Sequence, residues 1–442
     1  MGNTYNYLKN RFLKISNLER NNEIFVFLIV SVLLAIPLKH NIGSLSIILF
    51  VLVSLLKWKA TNVSFSKTLF IPVVFYALMV LSLLWTYDFE RSLAGLQKEI
   101  IFLFVPLAFL LMPKLTQEQR TSIFKWYSYG MVLYSLFYIL KALYRYISTG
   151  DSAAFFYHEL VTLDVNAIYM SVFVSFALFY FINLREKNNL IRVLIGFLAV
   201  MVFLLSSKSI IFIDFILVIC YYSFYSQVPK SVRYLTVTVF VGFLFFSLFF
   251  VKEVRERFLL EYETAFVDNT INEKIADGAG VVYNVSLQQA WNDEKFQANQ
   301  FFPGTALRVY QFRIFKELIA EESVFFTGFG LEASQAQIQK KALQYELYDG
   351  YGDFNFHNQY TQTFAELGIF GFLLLFAMIY VTLKKAIQHK DFLHIAFAIT
   401  MIVLFLTESF FCRQRGITFF IVLYCLFNSK LPSSTAYKSN LT

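Results

Sequence analysis

Residues 165–184 have the sequence VNAIYMSVFVSFALFYFINL, twenty consecutive positions without a charged side chain. A helix rises about 1.5 Å per residue and the hydrocarbon layer of a bilayer is about 30 Å thick, so such a run can cross a membrane. The whole chain of 442 residues is similar, with 57% hydrophobic, 19% aromatic and only 15% charged residues. A soluble core could not hide that much apolar surface. The sequence therefore predicts an all-α, multi-pass integral membrane protein.

Comparable apolar runs lie on both sides of this one, separated by short polar breaks. We predict about twelve spans from these runs. Their approximate bounds are 24–38, 42–56, 68–86, 98–112, 123–147, 165–184, 190–206, 209–226, 232–251, 359–383, 392–411 and 416–429. Residues 1–23 are polar and basic and show no pattern for signal-peptide cleavage.

The distribution of Lys and Arg predicts the orientation. With a cytoplasmic N-terminus, the cytoplasmic segments hold twenty of the 38 Lys and Arg residues, the opposite short loops hold eight and one long loop holds the rest. Positive charge concentrates on the cytoplasmic side of membrane proteins, and long loops are left out of this count. We therefore expect helices 1–9 in residues 1–251, an external loop at 252–358, and helices 10–12 with a cytoplasmic C-terminus in 359–442. The net charge of +8 follows from this bias and does not indicate nucleic-acid binding.

Three cysteines, Cys220, Cys412 and Cys425, lie in or beside predicted spans. They provide no disulfide framework and no zinc-ligand spacing. We therefore predict no metal site and no cofactor.

The loop at 252–358 is the most informative segment, because loops of this length are usually functional or independently folded. Residues 252–266 form a predicted amphipathic helix, and the polar stretch 267–300 suggests irregular structure. A clear helix is predicted from Ala306 to Glu322, with Thr305 as its N-cap.

Arg308 occupies an unusual place in that helix. At about 100° per residue it falls inside the apolar arc, between Phe315 and Ile319, whereas Arg313, Lys316 and Glu317 lie opposite. It is also in the first turn, where the helix dipole disfavours a cation. Free first-turn amides beside a guanidinium make a good site for phosphate. The alternative is that Arg308 extends to the membrane surface or pairs with a carboxylate of the loop.

His357 and Asn358 stand where the loop re-enters the membrane, directly before the span that starts at Gln359. A neutral imidazole there could accept a proton from a sugar hydroxyl, because its pKa lies near ambient pH. Asn358 could orient the imidazole or bind substrate. The alternative is an interfacial histidine packed among Phe354, Phe356 and Tyr360.

Lys208 follows two serines in a polar break between two spans on the same outer side. A lysine at membrane depth is costly and usually functional, and it could meet a diphosphate as a point charge. The alternative is a lysine that reaches the surface from a tight turn. Two lesser predictions are an ion pair of Glu408 with Arg415, if one helix carries both, and a turn at Gly328-Phe329-Gly330.

Together these segments resemble the O-antigen ligase superfamily, which includes O-antigen ligases, many O-antigen polymerases and bacterial protein O-oligosaccharyltransferases. The resemblance covers about 300–375 and rests on Arg308 followed by Phe312, on Thr327-Gly328-Phe329-Gly330, on His357-Asn358-Gln359-Tyr360, and on Ala365-Glu366-Leu367-Gly368-Ile369-Phe370-Gly371. Upstream, Leu205-Ser206-Ser207-Lys208 resembles the Ser-Arg of the family at the outer end of a span. Lysine thus replaces arginine at 208, and Phe312 stands where the family often has tryptophan.

The resemblance implies membrane helices capped by a helical periplasmic loop in a bacterial inner membrane. It implies transfer of a glycan from undecaprenyl diphosphate to an acceptor hydroxyl, without a metal. By position, His357 would be the general base, Arg308 would bind the diphosphate, and Lys208 would stand where the family usually has arginine. Apart from the resemblance, we predict Asn358 and, as a lesser candidate, Arg313 as further substrate contacts.

Three functions are compatible with this pattern. The first is a ligase that attaches O-antigen to a lipid A–core acceptor, which we favour because of the long loop with its His-Asn re-entry. The second is a polymerase or a protein oligosaccharyltransferase. The third, of another class, is a transporter or flippase, for which internal repeats or Gly- and Pro-broken helices would be expected and are not evident.

Overall fold

The computed structural model describes residues 22–57, 66–162, 165–226, 252–272 and 280–430, together with parts of 229–242. The described chain is mostly helical, as the sequence predicts. Its α-helices, numbered here in chain order, are α1 (Asn22–Ala35), α2 (His40–Leu56), α3 (Lys67–Leu81), α4 (Phe89–Glu99), α5 (Ile101–Leu111), α6 (Gln117–Thr149), α7 (Tyr157–Leu160), α8 (Ala167–Asn183), α9 (Asn189–Leu204), α10 (Lys208–Cys220), α11 (Lys252–Ala265), α12 (Leu287–Asn292), α13 (Gly304–Glu321), α14 (Ser334–Gln344), α15 (Gln359–His389), α16 (Phe392–Thr407) and α17 (Gln414–Asn428).

Four helical stretches of the described chain are long and apolar enough to cross a membrane: Lys67–Leu84, Phe89–Leu111, Lys208–Tyr225 and Gln359–His389. Five further apolar helices have 10–17 residues each. The runs predicted at 24–38 and 42–56 are indeed separate helices, because the chain turns between Ala35 and His40. The span predicted at 232–251 lies largely outside the described residues. The number of twelve spans and the external position of the loop remain predictions.

The apolar run quoted at the outset forms the centre of the bundle. In α8, every residue from Tyr169 to Ile182 is buried. Helices α6, α9, α10 and α16 pack around it. A helix that is apolar on all sides is stable only when every side is covered by protein or lipid, so α8 organises its neighbours around itself.

The loop has its own apolar core, to which Phe296, Phe302, Tyr310, Phe329 and Phe356 contribute. The stretch predicted to be irregular at 267–300 is more ordered than expected in its described part. It contains helix α12 and three two-residue strands, β1 (Thr270–Ile271), β2 (Tyr283–Asn284) and β3 (Gln300–Phe301). Strand β2 pairs antiparallel with β1 and parallel with β3. The sequence did not predict these strands because their residues are mostly polar. In the structure such polar side chains bind each other: Nδ2 of Asn272 donates to Oδ1 of Asn284 at 2.9 Å.

Helix α15 is broken at Gly368, whose φ is +64°. The loop crosses the break there: the amide of Phe329 donates to the carbonyl of Ala365 at 2.8 Å, and the amide of Ile369 donates to the carbonyl of Phe325 at 3.0 Å. A Cβ on Gly368 would lie 2.2 Å from the carbonyl oxygen of Phe326, so only glycine fits. Gly328 has the same restriction, since its Cβ would lie 2.3 Å from Glu366. The expected turn at 328–330 is therefore a close backbone crossing, and α15 contains a glycine break that was not evident in the sequence.

Beside this crossing lies a group that we call the acidic cluster: Lys98, Glu99, Glu332 and Glu366. The Lys98 ammonium pairs with Glu332 and lies 3.7 Å from the carboxylate of Glu99. Glu99 and Glu366 are 3% and 8% exposed, and all three carboxylates line one small cavity. The single ammonium thus links helix α4 to the loop, and it also donates to the carbonyl of Cys412 at 3.3 Å.

Candidate active site

Helix α13 begins at Gly304 with Pro303 as its N-cap, two residues before the predicted start. Thr305 is therefore inside the helix and not the cap, and Pro303 has no side chain that can bind the free amides. A carboxylate from another helix does so instead: Glu261 of α11 accepts a hydrogen bond from the amide of Thr305 at 3.0 Å. The first turn of α13 thus binds an anion, although the anion is part of the protein.

Arg308 reaches from this first turn to the end of a membrane helix. Its Nε donates to the carbonyl of Thr407 at 3.0 Å, one terminal nitrogen donates to the carbonyl of Gly304 at 3.0 Å, and the other lies 3.2 Å from a carboxylate oxygen of Glu408. The alternative interpretation predicted that Arg308 pairs with a carboxylate of the loop. Arg308 does pair with a carboxylate, but this is Glu408, which directly follows helix α16. Arg308 thus joins the loop to the membrane bundle.

His357 approaches the same carboxylate from the other side. Its Nδ1 lies 3.9 Å from the second carboxylate oxygen of Glu408. Its φ is +49°, and a left-handed conformation of a residue with a Cβ costs about 1–2 kcal/mol. Such backbone strain tends to occur at functional sites, where a side chain is held in a particular orientation. The Nε2 of the imidazole is buried and has no hydrogen-bond partner among the described residues.

Asn358 holds this strained residue in place. Its side-chain oxygen accepts from the amide of Thr361 at 3.0 Å and so caps helix α15, while its Nδ2 donates to the carbonyl of Leu406 at 3.2 Å. Its own amide donates to the hydroxyl of Ser409 at 3.1 Å. These bonds fix Asn358 to helices α15 and α16 and to Ser409, and none of them reaches the imidazole of His357.

Lys208 is connected to the same region through Glu261. Its ammonium lies 3.2 Å from one oxygen of that carboxylate, and the other oxygen holds the amide of Thr305. Burial alone would raise the pKa of Glu261, but the hydrogen bond from Thr305 and the nearby Lys208 ammonium lower it below its ordinary value. The carboxylate therefore carries a negative charge between Lys208 and the start of α13.

Arg313 is not brought to this group. Its Nε lies 2.9 Å from Glu317, and its terminal nitrogens donate to the carbonyl of Asp293 at 2.8 Å and to the hydroxyl of Tyr345 at 3.1 Å. It is buried, although periodicity placed it on the polar face, because helices α12 and α14 cover that side of α13. Phe312, although apolar, is 50% exposed.

Glu408 is the residue that the sequence interpretation placed wrongly. It was expected to pair with Arg415 on a continuous helix, but α16 ends at Thr407 and Glu408 has an extended backbone. Arg415 donates to the carbonyls of Ile36 and Leu38 at 2.9 and 2.7 Å. A charged residue at the end of an apolar span is costly and is therefore usually functional. This position was the one feature of the sequence by which Glu408 could have been identified as a site residue.

A groove of about 450 Å³ adjoins Asn358. Residues of α13, α15 and the end of α16 line it, and most of them are apolar: Phe312, Phe315, Ile319, Phe325, Tyr360, Phe364, Phe372 and Leu406. Its volume is in the range of typical ligand sites. The groove therefore offers an apolar chain a place beside the polar group of Arg308, His357 and Glu408.

Within the described residues, no three His, Cys, Asp or Glu side chains are arranged to hold a metal ion. The charges at the site come from the side chains themselves, with Arg308 and Lys208 as cations and Glu261 and Glu408 as anions.

A family model matches part of the chain. Residues 193–376 match the family model described as O-antigen ligase. No curated protein matches the chain. The matched segment contains Lys208, Arg308 and His357, and it ends before Glu408. The resemblance to the O-antigen ligase superfamily is thereby confirmed over residues 193–376, which are less than half of the chain. The matched family suggests a membrane glycosyltransferase of the ligase or polymerase type.

Proposed function

We propose that this chain, a membrane protein similar to the O-antigen ligases over 193–376, transfers a glycan from undecaprenyl diphosphate to an acceptor hydroxyl. The acceptor is a sugar of lipid A–core, and the site faces the periplasm from the inner membrane. The observation that carries the proposal is the shared carboxylate, since Glu408 lies 3.2 Å from Arg308 and 3.9 Å from His357. Arg308, which would bind the leaving diphosphate, and His357, which would be the base for the acceptor, thus lie next to the same carboxylate.

His357 serves as the general base. The acceptor oxygen attacks the anomeric carbon of the donor and forms the new glycosidic bond, while the bond from that carbon to the phosphate oxygen breaks. Nε2 of His357 takes the proton of the hydroxyl, and the imidazolium that forms is stabilised by Glu408 beside Nδ1. Attack opposite the leaving group inverts the anomeric centre.

Arg308 stabilises the leaving group. Undecaprenyl diphosphate departs as an anion, so the transition state gains most from positive charge fixed near the bridging oxygen. A guanidinium has five N–H donors, and three of those on Arg308 bind the described partners. Lys208 adds a point charge that compensates for the missing second arginine of the family pattern. This chemistry needs no metal ion, because the two side chains supply the charge.

The apolar groove beside Asn358 receives the lipid. It has about 450 Å³ and its walls extend from the loop helix α13 to the membrane helices α15 and α16. Part of an isoprenoid chain can lie there with its diphosphate end directed at Arg308. Burial of apolar chain in the groove would hold the reacting carbon near His357.

Replacement of His357 by alanine in the native host, followed by analysis of the glycolipids, tests the proposal. Loss of the base should abolish ligation, so polymer should accumulate on the lipid carrier while the lipid A–core stays bare. Core capped with a single repeat would identify a polymerase instead, and lost glycoproteins with normal glycolipids would identify an oligosaccharyltransferase.

The matched control is His158→Ala, since His158 is exposed and belongs to the short helix α7, outside the segment 252–358. This variant should retain the glycolipids of the parent. Glycolipids and glycoproteins that are both unchanged in the His357→Ala strain would end the enzyme proposal and would favour a transporter.

A further inference from the structure

Glu261 is a carboxylate in the place where the proposed function requires a phosphate. One oxygen accepts from the amide of Thr305 at 3.0 Å, and the other lies 3.2 Å from the ammonium of Lys208. A Cβ placed on Gly304 would be 3.1 Å from Glu261 and 3.3 Å from the guanidinium of Arg308. The carboxylate and the guanidinium therefore approach the same glycine from two sides.

The partners of Glu261 are those that a phosphate oxygen would choose. Amides of a first helical turn bind anions because they are not used within the helix and because the helix dipole is positive there. A lysine ammonium and an arginine guanidinium complete such a site. The lowered pKa of Glu261 agrees with a carboxylate that stays ionised in this field.

We propose that Glu261 is a built-in anion that occupies part of the diphosphate site and is displaced when the donor binds. The inference rests on the proposed function, in which the diphosphate of the donor binds Arg308 and Lys208. A diphosphate and a carboxylate repel each other, so both cannot contact Lys208 and the Thr305 amide together.

Two consequences follow for the reaction. In the absence of donor, Glu261 neutralises Lys208 and occupies the Thr305 amide, which keeps stray anions such as inorganic phosphate out. After transfer, its return competes with the undecaprenyl diphosphate product and so assists product release. A diphosphate can bind only to molecules in which the carboxylate is displaced. Its apparent dissociation constant is therefore the intrinsic value divided by the fraction of such molecules.

Binding of inorganic pyrophosphate to the purified full chain in nanodiscs, measured by calorimetry, tests this inference. Glu261→Gln keeps an oxygen for the Thr305 amide but removes the charge, so its dissociation constant should be about fivefold lower than that of the parent. Glu261→Asp keeps the charge with a shorter reach and should fall between the two.

Glu263→Gln is the matched control, because Glu263 is exposed on the same helix. It removes an equal charge away from the site and should leave the dissociation constant unchanged. Unchanged or weaker pyrophosphate binding by Glu261→Gln would overturn the inference and would make Glu261 a structural cap of α13.

The two proposals fail separately. If glycan transfer depends on His357 but Glu261→Gln binds pyrophosphate like the parent, only the role of Glu261 is wrong. If pyrophosphate binds more tightly to Glu261→Gln while His357→Ala changes no glycan, the displaceable anion stands and the assigned reaction is wrong.

Discussion

Replacement of Glu408 by glutamine should reduce glycan transfer far more than it reduces stability. The side chain is 12% exposed and its partner Arg308 is 34% exposed, so their ion pair is neither fully buried nor freely solvated. Exposed pairs contribute about 0–1 kcal/mol, and removal of one partner from a buried pair costs about 3–5 kcal/mol. Because Arg308 keeps its bonds to the carbonyls of Thr407 and Gly304, we expect a loss near the lower values, about 1–2 kcal/mol.

The expected effect of this change on transfer is larger because Glu408 also faces His357. At 3.9 Å the carboxylate stabilises the imidazolium that forms as the base takes a proton, and loss of such a fixed charge typically costs about 10²-fold or more in rate. The change should appear in kcat, with the KM for donor moving less, since the imidazolium exists only after proton transfer begins.

The assay is transfer by purified protein in nanodiscs, with unfolding followed in parallel. Glu346→Gln is the control, since Glu346 forms an exposed pair with Lys295 in the loop and should leave both quantities nearly unchanged. Glu408→Gln with the kcat of the parent would show that the carboxylate is only a structural partner of Arg308, and the catalytic role of the contact would have to be abandoned.

Three further predictions concern the elements that position the site. Gly368→Ala should destabilise the protein by more than about 1 kcal/mol, because the new Cβ would clash with the carbonyl of Phe326 and because φ at this position is positive. Gly196→Ala is the control and should be tolerated, since there is open space around Gly196. Unfolding in denaturant compares the stability of the two variants. Lys98→Met should cost about 1–3 kcal/mol in the same assay, because the partly exposed pair with Glu332 loses its cation and buried Glu99 loses its neighbouring ammonium; parental stability would disprove the linking role. Burial would raise the pKa of Glu317, but hydrogen bonds from Tyr345 and from cationic partners lower it below its ordinary value. The ionised carboxylate therefore adds to the free energy of unfolding above the unfolded pKa of about 4.3, and this stabilisation is lost as pH falls through the folded pKa. The protection factors of the amides in 304–345, which correct for the intrinsic pH dependence of hydrogen exchange, should therefore fall on acidification, and a Glu317→Gln variant that keeps the same pH dependence would contradict this.

The site predictions came from single residues that violate a local rule. Arg308 was singled out because a cation inside an apolar arc and at a helix start is doubly unfavourable, and His357 because it stands at the point of re-entry. Both signals depend only on residues nearby in the chain, and the structure brings these two side chains to one carboxylate.

The remaining features depended on contacts between distant segments. Periodicity gave α13 one buried face, but helices α12 and α14 also cover the side of Arg313, so Arg313 is buried and Phe312 faces the groove. Glu408 was misplaced because nothing nearby in the sequence forces α16 to end at Thr407. The crossing at Gly328 and Gly368 could not be predicted either, since each glycine is required by a backbone segment about forty residues away.

A structure of the chain in nanodiscs with undecaprenyl diphosphate bound tests the central claim most directly. We predict that the diphosphate contacts the guanidinium of Arg308, that its isoprenoid chain enters the groove beside Asn358, and that Nε2 of His357 faces the same cavity. A diphosphate bound away from Arg308, or a wall of protein between it and the imidazole of His357, would contradict the account.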